Sequence, residues 1–113
     1  MTSGAGEVVV AVRGEIDLST REPFGRAVRQ ATTAGAGRVV IDMAEITFMD
    51  SSGLAVLAEA HRALGEAPGA IVLRRVRPAV RSVLTLSGLD GLLSIQGPDG
   101  SESRPGTGPG GGA

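Results

Sequence analysis

The sequence predicts an α/β fold, a single sheet with helices packed against it. Two observations lead there. Short β-branched runs alternate with longer runs in which apolar residues recur every three or four positions. The breaks between them are brief and rich in glycine and polar residues, so successive elements must be neighbours. Strands separated by helices pair in parallel through right-handed crossovers. At 113 residues the chain is long enough for one domain.

Each element can be justified in turn. Glu7 to Arg13, written Glu-Val-Val-Val-Ala-Val-Arg, is predicted as a strand buried on both faces and ended by Gly14. Glu15 to Thr20 is a polar turn. Phe24, Ala27, Val28 and Ala31 then fall on one face of a helix, with Pro23 tolerated in its first turn. Small residues from Thr32 to Gly37 close that helix. Arg38 to Met43 is the next strand, and Ala44-Glu45 reads as a short turn. A second helix follows Gly53, with Leu54, Leu57, Ala58, His61 and Leu64 near one side. Gly65 to Gly69 breaks it, and Ala70 to Arg74 is a further strand. Pro78 opens a third helix with Val80, Val83, Leu84 and Ser87 on its inner face, and Gly88 is its C-terminal cap. Leu92 to Ile95 is a last, short strand.

Residues 1–6 are expected to be a flexible N-terminus, 7–96 the domain, and 97–113 a disordered tail of glycine, proline and serine. Such a tail cannot bury enough apolar surface to offset an ordering cost of about 1–2 kcal/mol per residue.

Composition removes several functions. The net charge of −1 offers no field for a nucleic acid or an anionic membrane. With no cysteine there are no disulfides, thiolate metal sites or cysteine nucleophiles. Phe24 and Phe48 are the only aromatics, too few for a base-stacking platform. No apolar run approaches the ~20 residues of a membrane helix, and the N-terminus lacks the basic residues of a secretory signal. A soluble, cytoplasmic protein without a cofactor is the expectation.

The chemistry concentrates in Ile46 to Leu54, Ile-Thr-Phe-Met-Asp-Ser-Ser-Gly-Leu, which joins a strand-like run to a helix-like run. Asp50, Ser51 and Ser52 are helix-capping residue types, and Ser51 or Ser52 is expected at the cap. A serine there faces the positive end of the helix dipole and the first N–H groups, a natural seat for a phosphate.

Catalytic readings fail on inspection. Gly35-Ala36-Gly37 precedes a strand, whereas a dinucleotide fingerprint follows one. The chain has no lysine, so a phosphate-cradling lysine is excluded. The sole histidine, His61, would lie roughly 15 Å along the helix from Ser51 at about 1.5 Å per residue, beyond the reach of a general base. It is expected to be a partly exposed helix residue. Glu15, Asp17, Asp42, Glu45 and Asp50 lack calcium-loop spacing. The arginines Arg74, Arg75, Arg77 and Arg81 form the one charge cluster, read as a solvated strand end and helix face or as a dock for an acidic partner.

The segment Phe48-Met49-Asp50-Ser51-Ser52-Gly53-Leu54 resembles the signature of STAS-domain anti-sigma factor antagonists. Gly14-Glu15-Ile16-Asp17-Leu18-Ser19-Thr20 resembles that family's second motif. Pro78-Ala79-Val80 and Ser87-Gly88-Leu89 sit where the family has similar residues, so the likeness runs from about Glu7 to Ile95. It implies a STAS-type single domain, a mixed sheet of four to five strands with about three helices packed largely on one side. It implies a binding protein, not an enzyme. Unphosphorylated, it would bind an anti-sigma factor serine kinase and so release a sigma factor. Phosphorylation would switch it off, and a PP2C-type phosphatase would reset it. Carried over by position, the phosphorylated serine is Ser51. Asp17 and Asp50 match the two aspartates beside it, and Thr20, Ser52 and Gly53 help shape the partner surface. A second reading is a scaffold subunit of a larger signalling or lipid-transport assembly. The chain departs from the family pattern where an extra strand usually precedes the run equivalent to Glu7–Arg13. Its lack would leave a sheet edge less protected.

Overall fold

The structure, a computed structural model, describes residues 6–67, 69–97 and 102–103. The order of elements is β1 (Glu7–Ile16), α1 (Arg21–Thr32), β2 (Arg38–Met49), α2 (Ser51–Ala63), β3 (Ile71–Arg74), α3 (Pro78–Ser87), a 3-10 turn at Leu89–Gly91, β4 (Ser94–Gln96) and β5 (Glu102–Ser103). The sheet is ordered β1-β2-β3-β4-β5; its first four strands are parallel and β5 pairs antiparallel with β4. It is therefore mixed, as expected. Right-handed crossovers that always step the same way place all three helices on one face. β5 falls within the stretch expected to be a tail, and the rest of that stretch, like residues 1–5, lies outside the described residues.

The core fills the helical face. Val8, Val39, Ile41, Ile71, Leu73 and Ile95 point into it from the strands, Leu93 joins them from just before β4, and Phe24, Val28, Leu57, Val80 and Leu84 meet them from the helices. Pro78 at the start of α3 and Gly88 at its end behave as the sequence indicates, Gly88 taking φ +84° as a left-handed cap.

Four expectations are corrected. First, β1 is not buried on both faces. Val8 is buried, Val10 and Val12 are partly buried, and Val9 is 50% exposed, because β1 lies at the sheet edge and no helix covers its outer side. Second, β1 runs through Gly14 to Ile16. Third, Ala44-Glu45 is no turn: β2 continues to Met49 with two offsets against β1, each placing an extra residue on β2. Strict alternation after Met43 would send Glu45 and Thr47 into the core. The bulges instead bury Ile46 and Met49 and leave Glu45 and Thr47 outside. Fourth, His61 is buried at 7% exposure, on the face of α2 that also carries Leu57 and Ala60.

The arginine cluster is spent largely within the fold. Arg75, at φ +56°, pairs with Asp42, and the Nε–H of Arg77 donates to the Ala44 carbonyl at 2.8 Å. Both stitch the first bulge of β2 to the loop after β3. Arg74 reaches Glu7 at 3.9 Å, and Glu7 also meets Arg38 at 3.9 Å. Glu7 lies opposite Arg38 and Arg74 opposite Asp42, so the Glu7–Arg74 pair crosses β2 diagonally, above Val40. Val40, on this same face, is 1% exposed.

The Asp42 carboxyl is held below its ordinary value of 3.8, chiefly by the hydrogen bond from Arg75, with partial burial opposing and the Ala44 N–H assisting. A depressed folded-state pKa gives stability that is complete above the unfolded value and drains away as pH falls through the folded one. Asp42→Asn is thus expected to melt below the parent at neutral pH, with the gap closing as pH drops beneath the carboxylate range. Melting curves across acid pH check this; a gap that persists in acid would show that packing, not charge, is at stake.

Candidate functional site

The site forms where the C-terminal ends of β1 and β2 meet the helices that follow them. The Asp50 N–H donates to the Ile16 carbonyl at 3.1 Å, which ties the two strand ends together. Each strand then opens into a loop carrying an aspartate and hydroxyls.

On the β2 side, Asp50 is the N-cap of α2. Its carboxylate accepts from the Ser52 N–H at 2.8 Å, and its carbonyl accepts from the N–H groups of Gly53 and Leu54. The expectation that Ser51 or Ser52 caps the helix is corrected: α2 begins at Ser51, so Asp50, in extended backbone, holds the cap position and its carboxylate takes the bond. Ser51 is instead the first residue of α2 and is exposed, whereas Ser52 is half-buried. Gly53 is fixed by contact. A Cβ built there would stand 2.6 Å from Met49 Cγ and 2.9 Å from Ile16 Cγ2. Only a bare backbone lets the first turn of α2 sit on both strand ends.

On the β1 side, Asp17 organises its own turn. One carboxylate oxygen accepts from the Ser19 N–H at 2.9 Å, the Ser19 hydroxyl at 2.7 Å and the Thr20 N–H at 3.2 Å. These bonds, the Ser19 hydroxyl first, hold the Asp17 carboxyl below its usual pKa. The Thr20 hydroxyl donates to the Glu15 carbonyl at 2.7 Å and accepts from the Asp17 N–H at 2.9 Å. Thr20 stands at the N-cap of α1, yet its side chain caps nothing there; it locks the turn.

Asp17, Thr20, Asp50, Ser51, Ser52 and Gly53 therefore lie in this double loop or at the start of α2, whereas His61 and the arginine cluster lie elsewhere. Sequence reasoning missed its apolar rim. Leu18, between Asp17 and Ser19, is 77% exposed, and Phe48, two residues before Asp50, is 48% exposed. A groove of about 360 Å³ leads away from Leu18 between α1 and α2, lined also by Arg21, Glu22, Gly25, Arg29, Val56 and Glu59. The signal for Phe48 is plain alternation: counted from the buried Met43 it falls on the outer side, but the turn expected at Ala44-Glu45 ends the predicted strand before reaching it. Among the described residues no group of acids or histidines could hold a metal ion, and no helix is long and apolar enough to cross a membrane.

Ser51→Ala is expected to leave the fold's stability nearly unchanged, and Asp50→Ala to cost about 1 kcal/mol through loss of the cap. Gly53→Ala should cost about 1–3 kcal/mol, because Met49 and Ile16 must give way. Urea denaturation checks the order; a Gly53→Ala protein as stable as the parent would mean the strand ends yield freely.

Comparison with known proteins places this geometry. The family model described as Mlab, STAS domain, matches residues 2–94. The anti-sigma-F factor antagonist RsfB of Mycobacterium tuberculosis is 31% identical over 85 residues, spanning 75% of this chain and 69% of that protein. The anti-sigma F factor antagonist of Paenibacillus polymyxa is 28% identical over 91 residues, spanning 80% and 78%. The structure of the Bacillus cell fate determinant SpoIIAA in its phosphorylated form superposes with a TM-score of 0.61 at 23% identity, over 88% of this chain and 90% of that one. Family match, relatives and fold agree with a regulatory binding protein rather than an enzyme: the chain belongs to the STAS-domain family of anti-sigma factor antagonists.

Proposed function

We propose that this protein is a partner-switching antagonist in transcription control. In its unphosphorylated form it binds an anti-sigma factor serine kinase in the cytoplasm and frees a sigma factor. The observation that carries the proposal is Ser51, exposed at the first position of α2 beside the Asp50 cap. The relatives named as anti-sigma F factor antagonists support the role, and the phosphorylated SpoIIAA structure supports the fold's compatibility with a phosphate.

The docking surface is the double loop. Asp17, Thr20, Asp50, Ser51 and Ser52 supply its polar part, while Gly53, expected on this surface, is buried and instead seats the turn that carries them. Leu18 and Phe48 supply exposed apolar area that a partner would remove from water. The groove between α1 and α2 extends the surface.

The switch is electrostatic. The Ser51 hydroxyl oxygen attacks the γ-phosphorus of ATP in the kinase, ADP leaves, and the hydroxyl proton passes to a base of the kinase. The product carries about −1.5 to −2 charges. The α2 dipole favours them by ~0.3–1 kcal/mol, so the fold survives. The docked partner does not: the phosphate stands beside the Asp50 carboxylate in a desolvated contact. A hundredfold loss of affinity needs only ~2.7 kcal/mol, within reach of repulsion and desolvation. A PP2C-type phosphatase hydrolyses the ester and restores the hydroxyl.

The test uses the anti-sigma factor captured from the host. Ser51→Ala is expected to bind it as the parent does and to take up no phosphate from ATP by mass spectrometry. Ser51→Asp is expected to melt near the parent and bind at least tenfold more weakly. Phosphate uptake by Ser51→Ala, or equal binding by Ser51→Asp, would overturn the assignment.

A further inference from the structure

β1 ends the sheet. Among the described residues its outer edge pairs with no strand. Long edge strands are usually interrupted by proline, lysine or a bulge. β1 has none of these between Glu7 and Arg13, since both offsets in its ladder place the extra residue on β2.

The direction of its backbone groups can be fixed. The Gly6 carbonyl accepts from the Gly37 N–H, and the Ile16 carbonyl accepts from the Asp50 N–H. Both are even-numbered positions facing β2. N–H and C=O groups alternate sides along a strand, so those of Glu7, Val9, Ala11 and Arg13 face outward. An antiparallel strand hydrogen-bonded to this edge must therefore place its own outward-facing residues opposite these four.

We propose that the occupant is a second copy of this chain, β1 against β1 about a two-fold axis at Val10. The sequence Glu-Val-Val-Val-Ala-Val-Arg is complementary to its own reverse. Centred on Val10, Glu7 lies opposite Arg13 of the second copy, Val8 opposite Val12, Val9 opposite Ala11, and Val10 opposite itself. Every outward-facing residue then meets an outward-facing residue, as the backbone demands. Both charges find an opposite charge, which favours cross-strand pairs as like charges disfavour them. The neighbouring allowed registers lose this. Sliding two residues one way sets Glu7 against Glu15. Sliding the other way sets Glu7 against Ala11 and leaves Arg13 without an acid.

The side chains agree with the backbone. Val10 and Val12 are only partly buried at the rim of the core. In the pair, Val8, Val10 and Val12 of both copies line one face and join the two cores. Glu7 keeps Arg38 and Arg74 within its own chain, each at 3.9 Å, and gains Arg13 of the second copy. Such an interface is isologous, closing on itself as a dimer. The double loop stays clear: Ile16 lies about 20 Å from Val10 at roughly 3.3 Å per residue, so the two Ser51 surfaces sit at opposite ends of the joined strands.

The experiment uses the full chain. Sedimentation equilibrium is expected to show a concentration-dependent doubling of the 11.4 kDa mass. Ala11→Pro removes an outward N–H without touching the β2 ladder and is expected to abolish the doubling while circular dichroism is unchanged. Because the protein has no cysteine, single cysteines report register directly. Val10→Cys stands at a non-hydrogen-bonded pair, where the Cα atoms approach to about 4.5 Å, and is expected to form a disulfide-linked dimer on mild oxidation. Val12→Cys, opposite Val8, is expected to stay monomeric on a reducing-free gel. A mass that never departs from the monomer, a dimer that survives Ala11→Pro, or cross-linking at Val12 in place of Val10 would each overturn the proposal.

Discussion

The structure turns on a close approach of backbone to side chain. The first turn of α2 rests on Met49 and Ile16 through Gly53, where a single added carbon would collide with both. That contact, with the Asp50 to Ile16 hydrogen bond beside it, locks two parallel strands and one helix into a common corner. The two aspartate loops share a surface because their roots share this corner. Their positions follow from packing beneath them, whereas their own bonds are local: Asp17 bonds within its own turn, and Asp50 serves its own helix.

This separation matters for the switch proposed at Ser51. A residue that both held the fold and met the partner could not change charge without unfolding the protein. Here the burden is divided. Asp50 caps the helix, Gly53 seats it, and Ser51 projects outward from the same turn. Leu18 and Phe48 contribute apolar area to the surface while remaining outside the core. A charge arriving at Ser51 therefore falls on the surface more than on the interior.

Much of this was legible in the sequence, for identifiable reasons. Valine and isoleucine runs marked the strands, and Pro78 and Gly88 bracketed α3 because each suits one helix end. The capping region was found, but not the capping residue, since Asp, Ser and Ser in succession are near-equals by propensity. Other errors share a cause: tertiary context. The run Glu7–Arg13 looks like a central strand, and only sheet order reveals it as an edge. His61 is read as partly exposed from helical spacing alone, yet it is buried on the face of α2 that carries Leu57 and Ala60. The arginine cluster reads as a solvated strand end and helix face or as a dock, and neither reading foresees Arg75 and Arg77 on the first offset of β2 or Arg74 on Glu7.

The paired offsets of β2 carry a consequence of their own. Each inserts one residue, and each alone would exchange inside for outside along everything downstream. Together they cancel, so Met49 returns to the phase of Met43 and the loop beyond emerges on the proper side. The segment between Met43 and Asp50 is in this sense quantised. It tolerates gain or loss of residues in twos, and an odd change would turn the aspartate and both serines toward the wrong hemisphere of the molecule.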